Sequence, residues 1–115
     1  MQRDLCAYLE DVITAHDRIL LFLTGFAFEQ FEASDLVVNA VERNLEIIGE
    51  ALAQASQLFP GSLDTVSELK YVKAQRNRIA HGYFNVDAAR LWKAIHEDLP
   101  LLRGKIVEIQ KLRCS

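Results

Sequence analysis

The stretch Val38-Asn39-Ala40-Val41-Glu42-Arg43-Asn44-Leu45-Glu46-Ile47-Ile48-Gly49-Glu50-Ala51-Leu52 decides the fold. Val38, Val41, Leu45, Ile48 and Leu52 recur at steps of three and four, the spacing of one buried helix face. Asn39, Glu42, Arg43, Glu46 and Glu50 fall on the other side. Ser34-Asp35 supplies an N-cap just upstream, and the pattern runs on to Leu58, so the spacing predicts a helix over residues 35–58. Glu42, Glu46 and Glu50 form an acidic row whose mutual repulsion Arg43 partly offsets. The row reads either as a solvated helix face or as the source of a carboxylate that orients an arginine from elsewhere in the fold. Gly49 costs about 1 kcal/mol relative to alanine, which points to close approach of another element there.

Helical spacing also dominates on both sides of this stretch. Upstream, Leu5, Leu9, Val12, Ile13, His16, Ile19, Leu20 and Leu23 make one apolar stripe, so a first helix is expected over residues 2–23. His16 on that stripe reads as a structural histidine. Leu20 to Leu23 are apolar all round, which suggests burial against the core and against a second subunit. Gly25 breaks the pattern, and Phe26, Phe28 and Phe31 follow as an aromatic plug. Downstream, Pro60-Gly61 marks a turn, and Ser62 or Asp64 can cap a third helix over residues 65–80. Asn85 or Asp87 can cap a fourth, which holds Leu91, Trp92 and Ile95. Trp92 reads as core and His96 as solvated. Pro100 cannot continue an undistorted helix, so a kink or restart is expected at residues 98–100. The resulting fold class is all-α: an antiparallel four-helix bundle with a kinked or split C-terminal helix, in one domain over residues 1–115.

Composition fits this and narrows the function. Apolar residues make up 50% of the 115, enough for a core without metal or disulfides. Cys6 and Cys114 form no CxxC pair and no ligand cluster with His16, His81 and His96, so a reduced cytoplasmic protein is expected, with no metal site and no cofactor. The acid in Met1-Gln2-Arg3-Asp4 argues against a secretion signal. The longest apolar run, residues 19–28, is about half of what a membrane span requires. The net charge of −3 argues against a generally basic nucleic-acid coat but leaves room for a local site.

That local site is Arg76-Asn77-Arg78-Ile79-Ala80-His81-Gly82-Tyr83. Lys70, Lys73, Arg76 and Arg78 make the one positive part of an acidic chain. Arg76 and His81 would lie roughly 140° apart on a continuous helix. They converge only if the helix ends before His81, and Gly82 suits the left-handed position that ends helices. Arg76 offers a planar fork for phosphate, His81 a proton carrier near neutral pH, and Tyr83 a ring for stacking and a hydroxyl. These groups suit metal-independent RNA cleavage. The ribose 2′-OH attacks the adjacent phosphate, His81 takes the proton and Arg76 stabilises the added charge. A symmetric dimer would supply a second histidine. The bland alternative is a capped helix end with a surface arginine and a packed His-Gly-Tyr turn.

Arg76-x4-His81-x-Tyr83, within residues 75–87, resembles the signature of the HepT-type HEPN ribonuclease toxins. The similarity extends to residues 40–51, to Leu91-Trp92 and to Asp98-Leu99-Pro100, and so to most of the chain. The resemblance implies a helical homodimer with the motifs of both protomers facing one cleft. It implies a metal-independent ribonuclease, the toxin of a type VII-like toxin–antitoxin pair, with transfer RNA and messenger RNA both open as substrates. The implied partner is a minimal nucleotidyltransferase antitoxin that transfers AMP to Tyr83, adding charge that repels RNA. Arg76 and His81 carry over as catalytic and Tyr83 as the RNA-contacting, modified residue. Asn77, Arg78 and Lys73 are supporting residues, and Glu46 is the expected orienter of Arg76. The alternative function is a non-catalytic HEPN module that binds nucleotide or RNA, or scaffolds a nucleotidyltransferase.

Overall fold

The computed structural model describes residues 3–66 and 87–114 of the chain. The helix expected over residues 65–80 therefore falls almost wholly outside the described residues. What is described is an all-α antiparallel bundle, with no strand among those residues. Helix α1 spans Leu5–Phe22, a short α2 spans Phe28–Glu32, and α3 spans Asp35–Leu58. Helix α4, Ala88–Lys93, passes through a π-helical turn, Ala94–Asp98, into α5, Leu99–Arg113.

Helices α1, α3 and α4 start where the sequence offers a side-chain oxygen to the free N–H groups of the first turn. Asp4 accepts from the Ala7 N–H, Ser34 from Val37 and Asp87 from Arg90. The α3 boundaries are those expected from the Ser34 cap and the apolar spacing. Ser34→Ala leaves the Val37 N–H without its side-chain acceptor, at a cost of about 1 kcal/mol. The expected result is a melting temperature lowered by a few degrees in calorimetry.

Helices α1 and α3 are antiparallel and pack most extensively on each other, with Tyr8 Oη donating to Gln54 Oε1 at 3.3 Å. Leu9, Val12 and Ile19 of α1 meet Val41, Ile48 and Leu52 of α3, all inaccessible or nearly so. Helix α5 runs back along α1 and adds Leu102, Ile106 and Ile109. This seam carries an Arg103–Asp17 pair at 3.0 Å and a Gln110–Glu10 hydrogen bond at 2.9 Å. The aromatic plug is a five-residue helix. Phe31 is fully buried, and Trp92 lies against both Phe28 and Phe31, with ring centroids 5.9 and 5.4 Å away.

Among the described residues, two turns need the left-handed backbone region. Gly25, at φ 79°, ends the run after α1, and Gly61, at φ 85°, forms the Pro60-Gly61 turn. The kink expected at residues 98–100 takes another form. Pro100 lacks an N–H and its ring would press on the carbonyl four residues back. The chain loosens by one residue over Ala94–Asp98, with the Leu99 N–H bonded to the Ala94 carbonyl, and the helix then continues through Pro100. In that turn His96 is exposed, as expected. Its Nδ1 lies 2.8 Å from the Trp92 carbonyl, which can only accept, so Nδ1 carries the proton.

One expectation is overturned. Cys6 and Cys114 are not a pair of separate thiols: they are joined in a disulfide across 108 residues of sequence. The antiparallel course of α5 along α1 brings the two ends of the chain together, which spacing along a sequence does not show.

Candidate functional site

Arg76, His81, Tyr83, Asn77, Arg78 and Lys73 lie outside the described residues. The described residues do show what surrounds the point where that segment rejoins the bundle, at Asp87. A groove of about 380 Å³ lies there, lined by Glu32, Asp35, Val38, Asn39, Glu42, Asp87 and Ala88. Its polar wall is four carboxylates and one amide. Such a surface repels phosphate, so it is no nucleic-acid cradle in its own right.

The charge of the whole chain divides along the same line. Residues 67–86 hold Lys70, Lys73, Arg76 and Arg78 against Glu68 alone, a net charge of +3. Residues 3–66 and 87–114 hold nine lysines and arginines against fifteen acids, a net charge of −6. Several of those nine cations are already matched: Arg3 with Asp11 at 2.7 Å, Arg43 with Glu46 at 3.3 Å, Arg103 with Asp17 at 3.0 Å.

The acidic row of α3 is not one uniform solvated face. Steps of four residues drift by roughly 40° around a helix. The row passes from half-buried Glu42 through Glu46 to exposed Glu50. Glu42, Glu46, Gly49, Ala53 and Ser56, at steps of four and three, share one flank, and all are buried or half-buried. Gly49 is buried, as its helix-weakening cost implies. Glu46, the expected orienter of Arg76, pairs with Arg43 on its own helix and keeps 35% of its side chain exposed.

Glu42 is the most unusual member of that flank. Its Oε1 is buried with no hydrogen-bond partner among the described residues, and burial pushes the carboxyl above its ordinary range. The native state holds the Glu42 proton more tightly than the unfolded chain does. Stability therefore falls as pH rises from the ordinary carboxylate range through the raised value, and is flat above it. Glu42→Gln removes this loss. The variant should melt at a higher temperature than wild type at pH 7, and the two should converge below about pH 4.

His16 is 4% exposed, which fits the structural role expected for it. Its Nδ1 lies 2.9 Å from Asp17 Oδ1, and Arg103 meets the same carboxylate through Nε and Nη2 at 3.0 and 3.3 Å. The Arg103 hydrogen bonds, followed by that of His16, hold Asp17 below the usual carboxylate range. A lowered carboxylate contributes stability that is present above its unfolded value and lost as pH falls through the folded one. The pair is solvent-exposed, so the gain is at most about 1 kcal/mol. Arg103→Ala should melt slightly below wild type at neutral pH, and the gap should close in a melting series taken below about pH 4.

Sequence reading missed Asn44, which is 6% exposed and donates through Nδ2 to the Ala40 carbonyl at 2.9 Å, four residues back. Its Oδ1 is buried with no partner among the described residues, as is His16 Nε2. An asparagine on the apolar side of α3 was the available signal. Among the described residues no group of histidine, cysteine, aspartate or glutamate could hold a metal ion. No helix there is long and apolar enough to cross a membrane.

Comparison with known proteins defines the class. A family model described as "Ribonuclease HepT-like" matches residues 12–109. A Thermococcus cleftensis protein named probable ribonuclease HepT is 36% identical over 111 residues, covering 96% of this chain and 100% of that one. A Methanocaldococcus jannaschii protein named as a candidate RNase is 33% identical over 105 residues, covering 91% of this chain and 95% of its own. No solved structure matches at a significant level. The chain belongs to the HepT-like ribonuclease family.

Proposed function

We propose that the protein is a metal-independent endoribonuclease, the toxin of a type VII-like toxin–antitoxin pair, acting in the cytoplasm on RNA. The observation that carries the reading is the charge partition: the whole positive balance of an acidic chain sits in residues 67–86, around Arg76-x4-His81-x-Tyr83. Family membership supports the same assignment. Arg76 binds the scissile phosphate and stabilises the charge that develops on it. His81 removes the proton from the ribose 2′-OH. Tyr83 stacks on a base and is the residue to which a minimal nucleotidyltransferase partner adds AMP. Lys73 and Arg78 add local positive potential, and Asn77 helps to position the reacting groups. Glu46 orients Arg76 at the edge of α3, in exchange for its present partner Arg43. Two copies of the chain form a homodimer whose two histidines serve as base and acid in one cleft.

The test is cleavage of end-labelled RNA by the purified protein in excess EDTA. Products ending in a 2′,3′-cyclic phosphate support the reading. Strict dependence on added divalent metal overturns the metal-independent chemistry. Tight binding of the nucleotidyltransferase or of nucleotide, with no cleavage at high protein concentration, supports the non-catalytic alternative.

A further inference from the structure

We propose that the Cys6–Cys114 disulfide is a redox-sensitive latch that holds the end of α5 on the start of α1. Cys6 lies in the first turn of α1, and Cys114 directly follows α5. The bridge joins residues 108 apart in sequence, with Cα atoms 5.9 Å apart. Along the α1–α5 seam it follows two polar links. Those links, Asp17–Arg103 and Glu10–Gln110, are exposed polar contacts of the kind that contribute little to stability. After Ile109 no residue of α5 belongs to the buried core: Lys111, Leu112 and Arg113 are exposed, Leu112 to 83%. The final turn of α5 is thus tethered by the covalent bridge rather than by packing.

The position of the bridge makes it reachable. Both cysteines are half-buried rather than enclosed in the core. Exchange requires a thiolate to reach one sulfur, and a bridge at the rim of the core, with part of each cysteine exposed, leaves that approach open. A dithiol reductant attacks one cysteine sulfur and forms a mixed disulfide as the Cys6–Cys114 bond breaks. Its second thiol then displaces the protein sulfur and closes a disulfide within the reductant. Two electrons pass to the protein, and each cysteine sulfur takes up a proton. A small-molecule disulfide such as oxidised glutathione drives the reverse reaction and yields two glutathione thiols.

Opening the latch has two effects of different range. The last turn of α5 loses its tether and frays. The unfolded chain also loses a cross-link enclosing nearly its whole length, which favours unfolding globally. The protein therefore has a tight oxidised form and a looser reduced form with the same fold.

The experiment uses the full chain equilibrated with oxidised glutathione or with dithiothreitol. The oxidised protein, denatured and treated with N-ethylmaleimide, should take up no label and remain a monomer on a non-reducing gel; the reduced protein should take up two labels. Reduction should lower the melting temperature by roughly 10 °C. It should also speed amide exchange at residues 110–114 more than at residues 45–52 of α3. The double variant Cys6→Ser/Cys114→Ser should melt like the reduced protein in either buffer. Two labels on the oxidised protein, a covalent dimer, or equal melting and exchange in the two buffers would each overturn the latch.

Discussion

Replacing His81 with alanine should lower the single-turnover rate of RNA cleavage by roughly 10²–10⁴, the usual contribution of a positioned general base or acid. His81 is the one histidine of residues 67–86, while His16 is buried in α1 and His96 lies on the Trp92 carbonyl in the π-helical turn; in the proposed homodimer the substitution removes both base and acid. Without His81 the 2′-OH must lose its proton to water. Arg76→Ala removes charge stabilisation instead and should cost about 10²–10³. Arg76→Lys should recover only part of that, because an ammonium cannot offer the planar fork. The pH profile separates the two roles. Loss of His81 should abolish a limb of the rate profile near neutral pH, while loss of Arg76 should lower the whole curve and leave its shape. In cells, expression of the wild-type chain without its partner should stop growth, and the His81→Ala variant should not. Unchanged cleavage by purified His81→Ala would refute the assignment.

Phe31→Ala should be the most damaging single truncation among the described residues outside α1 and α3. Phe31 is fully buried and its ring centroid lies 5.4 Å from that of Trp92. A five-residue helix has no independent stability, so α2 exists because Phe31 anchors it between α3 and α4. Truncation removes the burial of a whole ring and leaves a cavity, at a cost of about 3–5 kcal/mol. Urea unfolding should show the midpoint moving sharply to lower concentration. Trp92 fluorescence, the signal of the one tryptophan in the chain, should shift to the red in the folded baseline as well. Phe31→Leu keeps most of the volume and should cost clearly less. A midpoint unchanged by Phe31→Ala would mean that the plug contributes no core.

Helices α1 and α3 were legible because their signals are local. The spacing from Val38 to Leu52 and the Ser34 cap placed α3 at its observed limits, and the aromatic run after Gly25 was rightly read as a plug. The Pro100 disturbance was legible in kind but not in form, since an imino acid can be accommodated by a kink or by one widened turn, and only backbone packing selects between them. The acidic row of α3 misled as a face, because the drift of the helix puts Glu42 and Glu50 in different environments. The motif from Arg76 to Tyr83 was visible as chemistry, and its neighbourhood as charge, from residue types alone.

Residue order was sufficient for the limits of α3, for the class of fold and for the concentration of positive charge in residues 67–86, because each depends on neighbours within a turn or two, or on composition. Three-dimensional placement was needed for the rest. Cys6 and Cys114 became partners only when α5 folded back along α1, Glu42 had one carboxylate oxygen buried only on the inner flank of α3, and Arg103 found Asp17 across 86 positions of sequence. Those outcomes depend on where one helix lies against another, and periodicity along a single helix carries no information about that.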